Sequence, residues 1–504
     1  MPPDFDLLVI GGGINGTGIA NVAAQSGLSV LLVEQNDLAA HTSSRSSKLI
    51  HGDLRDLERG ALRQVREALA EREVLLSMAP HIVWPLSFVL PLAPDARPAW
   101  KVRAGLFIYD HLGPRKGLSG CQQIDLRRHS VGQCLRPTLT HGFSYADCWV
   151  DDARLVVLNA MQAEEYGASI LPRTRLMSAR REEGLWRVEL LCADGSQREL
   201  CVRGLVNAAG PWAASLAGSV LGSDQDNPAG VSWVKGSHIV VPRLYQGDHA
   251  YLLQNHDQRL IVVLPYGEFN LIGSAESPYA GEITELTVSH EDIEYLCAAV
   301  NRYFQQPLRV TDVVWSFAGV RTVKEDRAKE LSTVVRDYRL ELDAPEGAAP
   351  LLSVYGGKMT TYRQLAKCVR AKLASYFPDM TALADPPPTL PGGSLPSHSM
   401  QNYLVDLCRR FPFIPVEHLC RMARRHGSRC EILLQGVRSL DDLGLYFGGG
   451  LYLREVRLFC ADEWAAEAED VLWRRSKCAL TMSASQRLAF TRWWERDRLL
   501  RQGS

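Results

Sequence analysis

The sequence has neither closely spaced cysteines nor a long hydrophobic run. Its twelve cysteines form no C-x-x-C pair, which disfavours a disulfide scaffold or a zinc ribbon and favours reduced thiols in the cytoplasm. We therefore predict no metal site. No stretch reaches the roughly 20 apolar residues that cross a bilayer, so we expect no membrane-spanning helix. The first residues lack the basic and apolar regions of a secretory signal, so we expect no export.

The sequence also has no excess of charge of either sign. Its 504 residues include 56 Lys and Arg against 57 Asp and Glu, a formal net charge of −1. A dedicated nucleic-acid surface needs concentrated positive charge, so we expect no nucleic-acid partner. The 46% hydrophobic and 22% charged residues indicate a globular protein, and a chain of this length predicts about two to four domains.

The first 34 residues have the pattern of a βαβ unit. Residues 6–10 form a short apolar run typical of a buried parallel strand. A helical pattern follows at 14–26, and a second strand pattern at 28–33 leads directly to Glu34. This order predicts a nucleotide-binding fold at the start of the chain.

The loop between the first strand and the helix reads G-x-G-x-x-G, with glycines at Gly11, Gly13 and Gly16. Such glycines let the backbone approach a pyrophosphate at the helix N-terminus, and a carboxylate such as Glu34 accepts hydrogen bonds from ribose hydroxyls. The loop therefore predicts a dinucleotide site, and the acidic residue disfavours NADP. The alternative is a glycine turn with a purely structural role.

Three later segments indicate that the ligand is larger than NAD. A polar run at 42–48 places hydroxyl groups near the predicted site, although it also fits an ordinary polar loop. Strand patterns at 205–207 and 351–355 both end in small residues, and the second leads to a predicted helix N-cap. The candidate cofactor-binding residues in these segments are Thr42, Ser43, Ser44, Ala209, Gly210, Gly357, Thr360 and Thr361.

Six motifs follow one another over almost the whole chain. They are G-G-G-I-N-G at 11–16, the stretch 43–52, Y-A-D-C-W-V-D-D-A-R-L at 145–155, K-G-S-H at 235–238, G-V-R at 319–321 and G-G-K-M-T-T-Y-R at 356–363. This series resembles the FAD-dependent, quinone-linked glycerol-3-phosphate dehydrogenases. The resemblance implies oxidation of sn-glycerol 3-phosphate to dihydroxyacetone phosphate by hydride transfer to flavin N5, with electrons passed through FAD to a membrane quinone.

The resemblance also implies a set of site residues. By their positions in its motifs, Arg55, Arg336 and Lys358 are candidates for substrate binding, and Arg321 for a catalytic role, because guanidinium groups suit a phosphate dianion. His51 is our candidate base for the hydroxyl proton. The second candidate, which we assign to substrate binding, is His238. The alternatives are surface ion pairs for the arginines and structural roles for the histidines.

The sequence departs from this family in the substrate motifs. The family's H-G-G-x-R-Y-L reads H-G-D-L-R-D-L here, so Asp53 and Asp56 replace a glycine and a tyrosine. Further changes leave Glu276 in place of an aspartate and Thr322 in place of a proline. If both new aspartates face the pocket, they repel a phosphate or pair with Arg55. Two alternatives follow: a flavoenzyme for another small acidic metabolite, or a flavin-binding paralogue with low activity.

Strand-like runs at 237–241 and 259–264 favour an antiparallel substrate domain inserted into the nucleotide fold, and prolines at 386–388 mark a linker to a helical part. The predicted architecture is thus an α/β FAD-binding domain, Rossmann-like and of the glutathione-reductase and amino-acid-oxidase type, interleaved with an antiparallel-sheet substrate domain. The predicted boundaries are 1–85, 151–230 and 345–388 for the FAD-binding domain, 86–150 and 231–344 for the substrate-binding domain, and 389–504 for a helical C-terminal domain.

Membrane contact follows mainly from the resemblance, which implies peripheral attachment to the inner face of the cytoplasmic membrane and allows a homodimer. Residues 361–377 have the pattern of a basic amphipathic helix, as found on membrane surfaces. The alternative is that the apolar side of this helix packs on the nucleotide domain.

Overall fold

The computed structural model describes residues 2–95, 97–220, 231–324, 338–396 and 399–502. Within these ranges, no helix has the length and apolar character needed to span a bilayer. The α-helices are α1 (Ile14–Gln25), α2 (Leu54–Glu58), α3 (Leu62–Met78), α4 (Ala99–Leu112), α5 (Asp152–Glu165), α6 (Ala213–Ser219), α7 (His290–Asn301), α8 (Tyr362–Leu373), α9 (Met400–Arg410), α10 (Val416–His426), α11 (Cys430–Leu433), α12 (Leu453–Asp462) and α13 (Ala484–Gln502).

The strands form two large sheets and one short hairpin. In chain order they are β1 (Phe5–Ile10), β2 (Val30–Glu34), β3 (Leu49–Ile50), β4 (Val83–Pro91), β5 (Gln122–Asp125), β6 (His141–Val150), β7 (Ser169–Pro172), β8 (Arg175–Glu182), β9 (Leu185–Leu191), β10 (Gln197–Asn207), β11 (Val231–Pro242), β12 (Ala250–Gln254), β13 (Leu260–Tyr266), β14 (Phe269–Tyr279), β15 (Trp315–Lys324), β16 (Arg339–Asp343), β17 (Leu351–Tyr355), β18 (Tyr446–Gly448) and β19 (Leu451–Tyr452).

The first sheet is the nucleotide fold. Its strands lie in the order β16-β17-β10-β1-β2-β7, and β1 runs parallel to both β2 and β10. Alternate residues of β1 belong to two separate hydrophobic cores, Leu7 and Val9 to one and Leu8 and Ile10 to the other. Both faces of this strand are therefore covered, as its unbroken apolar pattern predicts.

Helix α1 packs closely against α5 and α8 on one face of this sheet. The approach of α8 depends on Gly18, because a Cβ atom there would lie 2.5 Å from the ring of Tyr362. The apolar side of α8, which includes Leu365 and Val369, is buried in the same core. This packing is the alternative considered for the amphipathic pattern, so α8 does not expose an apolar face.

The second sheet lies in the order β15-β11-β14-β13-β12-β4-β6-β3, with β5 paired to β6. Its pairings are antiparallel except for the parallel pair of β12 with β4. Helix α7 packs on one face, and α3 and α4 share a core with β4 and β6. The predicted combination of an FAD-type α/β sheet with an antiparallel sheet is confirmed.

Among the described residues, two strands lie wholly in a segment that we predict for the other domain, and β4 begins three residues before its predicted segment. Strand β3 lies in the second sheet, and β16 lies in the first, where it pairs with β17. Each falls in a segment that the sequence assigns to the other domain. Sheet membership depends on long-range pairing, which a local pattern does not reveal. The boundaries themselves stay a prediction.

Helices α9 to α13 form the predicted helical C-terminal region, with two cores of their own. Buried ion pairs attach this region to the nucleotide fold. Arg154 on α5 pairs with Glu463, and Arg475 donates two hydrogen bonds of 2.7 Å to Asp37, three residues after β2. The helical region therefore contacts the loop that follows Glu34.

Candidate active site

A cavity of about 250 Å³ opens at the carboxyl ends of β1, β2 and β10. Its lining includes the glycine loop, Glu34, Thr42, Ser43, and the small residues Ala209 and Gly210. In an open α/β sheet the ligand crevice lies outside the carboxyl ends of the strands. This cavity has that position, and the predicted dinucleotide residues lie on its walls.

Two of the glycines are required by close approach of the backbone. Gly11 has φ of +114°, and a Cβ atom there would lie 2.5 Å from the carbonyl oxygen of Ala208. A Cβ atom on Gly16 would lie 1.8 Å from the carbonyl oxygen of Gly11. Larger residues would thus displace the loop that leads into α1.

Glu34 is fixed by the backbone at the end of β2. Its two carboxylate oxygens accept hydrogen bonds from the N–H groups of Gly12 (2.7 Å) and Asn36 (2.8 Å). Burial raises the pKa of this carboxyl group above its usual range. Each carboxylate oxygen can accept a second hydrogen bond, so the two backbone contacts leave capacity for ribose hydroxyls.

Two further cavities continue from the first. The second, of about 180 Å³, shares Thr42 and Ser43 with it and is also lined by Gly357, Thr360 and His238. The third, of about 100 Å³, shares with the second a set of residues that marks the junction of the two. That set is Ser47, Leu49, His51, Asp53 and Arg321. The three cavities form one path from the glycine loop to a charged pocket.

One carboxylate holds two of the candidate phosphate ligands. Glu276, from β14, pairs with Arg55 on α2 (3.2 Å) and with Arg321 on β15. All three residues line the third cavity. The two guanidinium groups offer N–H donors to an anion, and the carboxylates of Asp53 and Asp147 line the same cavity.

The two unexpected aspartates lie beside Lys358 and are buried. Asp56 forms an ion pair with Lys358, and an oxygen of Asp53 lies 3.8 Å from the same ammonium nitrogen. Asp53 has φ of +60° and caps α2 by accepting a hydrogen bond from the backbone N–H of Arg55. The Arg55 guanidinium group donates to Glu276 and to the carbonyl of Leu260, whereas Asp53 accepts from the backbone N–H of Arg55.

His238 is buried between the two sheets and is neutral near pH 7. Burial, with Lys48 and Arg321 nearby, lowers its pKa to about 3. Its Nε2 lies 2.9 Å from the Ser47 hydroxyl, and its ring stacks on Phe317 at 4.9 Å. Its Nδ1 has no hydrogen-bond partner among the described residues. The close fit explains Gly273, since a Cβ atom there would lie 2.1 Å from the imidazole.

The loop that carries His51 is held through its backbone. The N–H of His51 donates to the Thr360 hydroxyl (3.3 Å), and the N–H of Gly52 donates to the Tyr109 hydroxyl (2.7 Å). The Tyr109 hydroxyl donates to the buried carboxylate of Asp147 (2.8 Å), which also pairs with Arg72 (2.9 Å). These bonds place His51 at the junction of the second and third cavities.

Comparison with known proteins assigns the chain to a family. A family model described as FAD dependent oxidoreductase matches residues 6–363. The chain is 50% identical over 485 residues to the glycerol-3-phosphate dehydrogenase of Pseudomonas aeruginosa, covering 96% of this chain and 94% of that protein. It is 47% identical over 501 residues to the D-erythritol 1-phosphate dehydrogenase of Brucella abortus, covering 99% of each. The chain belongs to the FAD dependent oxidoreductases.

A solved structure shows the same fold for this FAD dependent oxidoreductase. The glycerol-3-phosphate dehydrogenase from Bacillus halodurans, determined with FAD, superposes with a TM-score of 0.74. The alignment covers 98% of this chain and 94% of that one, at 24% identity. The predicted family, fold and cofactor are confirmed, and the cofactor is FAD. The glycines whose Cβ atoms would clash let the backbone approach a dinucleotide closely.

Most of the sequence-predicted residues of this FAD dependent oxidoreductase meet on the path. Those that line it are Gly11, Gly13, Glu34, Thr42, Ser43, His51, Arg55, Ala209, Gly210, His238, Arg321, Gly357, Lys358 and Thr360. Gly16 instead packs against Gly11, and the Ser44 hydroxyl donates to the carbonyl of His41. Thr361 is the N-cap residue of α8, at the predicted position, although its side chain makes no capping hydrogen bond. Arg336 lies outside the described residues.

The buried ion pair between Lys48 and Asp152 was not predicted from the sequence. Lys48 is buried, and its ammonium nitrogen lies 2.6 Å from the carboxylate of Asp152 at the start of α5. The same nitrogen lies 5.0 Å from the centre of the Phe317 ring, on which His238 stacks. More than 100 residues separate the two partners, so no local pattern indicates their pairing.

Proposed function

We propose that the protein oxidises the secondary alcohol of sn-glycerol 3-phosphate to dihydroxyacetone phosphate. The observation that carries this proposal is the joining of a dinucleotide cavity to a pocket with Arg55 and Arg321, with His51 at the junction. Relatives named for glycerol 3-phosphate and for D-erythritol 1-phosphate support a phosphorylated polyol as the substrate class.

In this proposal each residue has a role that fits its position. The FAD, which supplies the hydride acceptor at flavin N5, is held by the glycine loop, Glu34 and the hydroxyls of Thr42 and Ser43. Arg55 and Arg321 hold the phosphate with paired N–H donors. His51 accepts the proton of the hydroxyl group at the junction, where the reacting carbon is placed.

The pKa of His238 supports a binding role for this residue. With a pKa lowered to about 3 it stays neutral in the physiological range, so its two ring nitrogens act as one donor and one acceptor. A neutral imidazole adds no charge beside the flavin. We therefore assign His238 to orientation of the substrate hydroxyl and His51 to proton transfer.

Anaerobic reduction of the flavin tests the proposal directly. We expect sn-glycerol 3-phosphate to bleach the absorbance of the oxidised flavin within a single turnover, and unphosphorylated glycerol to do so far more slowly. Absence of bleaching at millimolar sn-glycerol 3-phosphate, in a protein that dithionite still bleaches, would reject this substrate.

We also propose a quinone as the electron acceptor and the membrane surface as the place of reaction. The support for both is the resemblance of the six motifs, together with relatives that are named as dehydrogenases. The substrate-reduced protein should be reoxidised by a soluble ubiquinone analogue much faster than by air. Flotation with vesicles of anionic phospholipid should carry the protein upward, and recovery at the bottom of the gradient would contradict the membrane proposal.

A further inference from the structure

Residues 470–477 of the C-terminal region contact the nucleotide fold beside its cofactor cavity. Two arginines of this segment, Arg474 and Arg475, both pair with the buried carboxylate of Asp37, which lies three residues after Glu34. The partners are 437 and 438 residues apart in the chain. A distant part of the chain therefore holds the loop that follows β2.

The same segment also holds the loop that follows β7. The guanidinium group of Arg173 donates two hydrogen bonds, of 2.8 and 3.0 Å, to the carboxylate of Asp470. The backbone N–H of Arg173 donates to the carbonyl of Asn36, and that of Thr174 donates to the carbonyl of Glu34, both at 2.8 Å. The loops after β2 and β7 are therefore bonded to each other and to the C-terminal segment.

Both loops belong to the wall of the dinucleotide cavity, which Glu34, Gln35, Thr174 and Arg175 line. In this fold an acidic residue after the second strand bonds the ribose of the adenosine half. The two loops thus lie where the adenosine half of FAD binds. The Glu34 carboxylate also accepts a hydrogen bond of 2.7 Å from the N–H of Gly12, so a shift of this loop would also disturb the glycine loop.

The C-terminal segment contacts a second part of the path through Lys477. This residue pairs with Asp151 and lies 3.7 Å from the carboxylate of Asp152. Asp152 in turn accepts hydrogen bonds from the backbone N–H (3.2 Å) and the hydroxyl (2.8 Å) of Ser46, which lines the second cavity. Residues 470–477 therefore support the walls of both cavities.

We propose that Arg474 and Arg475 are positioning residues for FAD, which act through Asp37 on the loops that receive its adenosine half. Neither arginine is among the residues that line the dinucleotide cavity. A buried carboxylate needs a charged partner, so loss of a guanidinium group displaces Asp37 and the loop that carries it. The inference concerns the cofactor and holds whichever alcohol the enzyme oxidises.

The test measures the dissociation constant of FAD by dilution of the FAD-loaded enzyme, with flavin fluorescence as the signal. In Arg474→Gln the carboxylate of Asp37 keeps Arg475 as a partner, and that of Asp470 keeps Arg173. The fold should therefore be kept. We expect the dissociation constant to rise about 10-fold, a size typical of a substitution that acts on a ligand through intervening residues.

Arg429→Gln is the matched control. It breaks an ion pair with Asp462, which also lies in the C-terminal region, and the side chain of Arg429 is 15% exposed against 14% for Arg474. We expect the dissociation constant of FAD to stay unchanged in this variant. The same increase in both variants would overturn the inference, as would an unchanged dissociation constant in Arg474→Gln.

A double-variant cycle distinguishes positioning from a general loss of stability. Glu34→Gln alters the group that meets the ribose. If Arg474 acts through the loop that carries Glu34, the two substitutions are coupled, and Arg474→Gln should raise the dissociation constant only about 2-fold in the Glu34→Gln background. The same factor in both backgrounds would show a merely structural role and overturn the inference. Should Arg474→Gln not fold, Arg173→Gln breaks the contact with Asp470 from the other side and takes its place in the cycle.

Discussion

The dinucleotide cavity presents backbone and small residues from the glycine loop and from Ala209 and Gly210, together with Glu34 and the hydroxyl residues Thr42 and Ser43. The substrate pocket presents charged side chains from α2, β14, β15 and the loop before α8. In the first region a single Cβ atom at Gly11 would meet the backbone of Ala208. In the substrate pocket, Arg55 and Arg321 pair with Glu276, and Lys358 pairs with Asp56. Another side chain can replace such a carboxylate without a clash with the backbone.

Because of this difference, we expect amino-acid substitutions to affect the dinucleotide cavity and the substrate pocket differently. A surface made of backbone binds whatever has the right shape, and its geometry is lost if a larger residue enters. A surface made of side chains can change a charge or a hydrogen-bonding group without a change in the backbone that carries it. Substrate preference can therefore change while the cofactor site stays the same.

The largest expected effect is loss of FAD from the dinucleotide cavity. Gly11→Ala places a methyl group 2.5 Å from the carbonyl oxygen of Ala208, at φ of +114°, so we expect nearly complete loss of bound FAD from the purified protein. The ratio of flavin to protein absorbance measures this. Gly195→Ala is the control, because Gly195 also has positive φ but has no atom within 4 Å of the added Cβ. Equal flavin content in both variants would contradict the role of the glycine loop.

A substitution in the substrate region should separate catalysis from cofactor binding. Arg321→Ala should lower kcat/KM for sn-glycerol 3-phosphate by about 100-fold, since it removes one charged partner from a part-buried site, while FAD content is kept. Stopped-flow flavin reduction measures the change. Arg128→Ala, at a side chain that is 89% exposed, should have no effect. Parallel loss of activity and of FAD in Arg321→Ala would indicate a folding role instead.

The buried ion pair between Lys48 and Asp152 should stabilise the folded protein. Lys48→Met removes the ammonium group that lies 2.6 Å from the buried carboxylate of Asp152 and leaves only the more distant Lys477, at 3.7 Å. It should lower the free energy of unfolding by about 3 kcal/mol. Urea titration followed by tryptophan fluorescence measures the loss. The double variant Lys48→Met, Asp152→Asn should recover part of it. Arg63→Ala, which breaks an exposed ion pair with Glu67, should cause little change, and an equally small change in Lys48→Met would refute the assignment.

The smallest expected effect is the pH dependence contributed by His238. In the unfolded chain this imidazole binds a proton below about pH 6.5, whereas in the folded protein its pKa is about 3. The unfolded state then holds more protons, so stability falls as the pH drops from 6.5 toward 3, by about 1.4 kcal/mol per pH unit at most. Urea unfolding at pH 6 and pH 5 should show a shallower fall in His238→Gln. Parallel slopes in the two proteins would contradict the low pKa.

Most of the cofactor region could be predicted from the sequence. The strand, glycine loop, helix and acidic residue of the first 34 residues appear in the structure as β1, α1 and β2 with Glu34 at the end. The strand, loop and helix pattern of such a unit is local, although its glycines pack against distant residues such as Ala208 and Tyr362. The contacts of individual side chains were not predicted: the Ser44 hydroxyl donates to the carbonyl of His41, and Thr361 is the N-cap residue of α8 without a side-chain hydrogen bond.

The substrate region was predictable by residue type but not by partner. The motifs named Arg55, Arg321, Lys358 and His51, and all four line the second or third cavity. That Glu276 holds both arginines, and that Asp56 holds Lys358, depends on strands and loops separated by 45 to 302 residues. The sequence pattern does not show which residues become partners when they lie so far apart in the chain.

The amino-acid sequence by itself determined the βαβ unit and the position of its glycine loop, because strand and helix periodicity act over a few residues. The cationic substrate site was implied by the resemblance of the motifs. Only the tertiary structure decided which carboxylate pairs with which cation. It also decided that the apolar side of α8 is buried and that Lys48 pairs with Asp152. The reason is physical: a buried charge must find its partner wherever the folded chain brings one within a few ångströms.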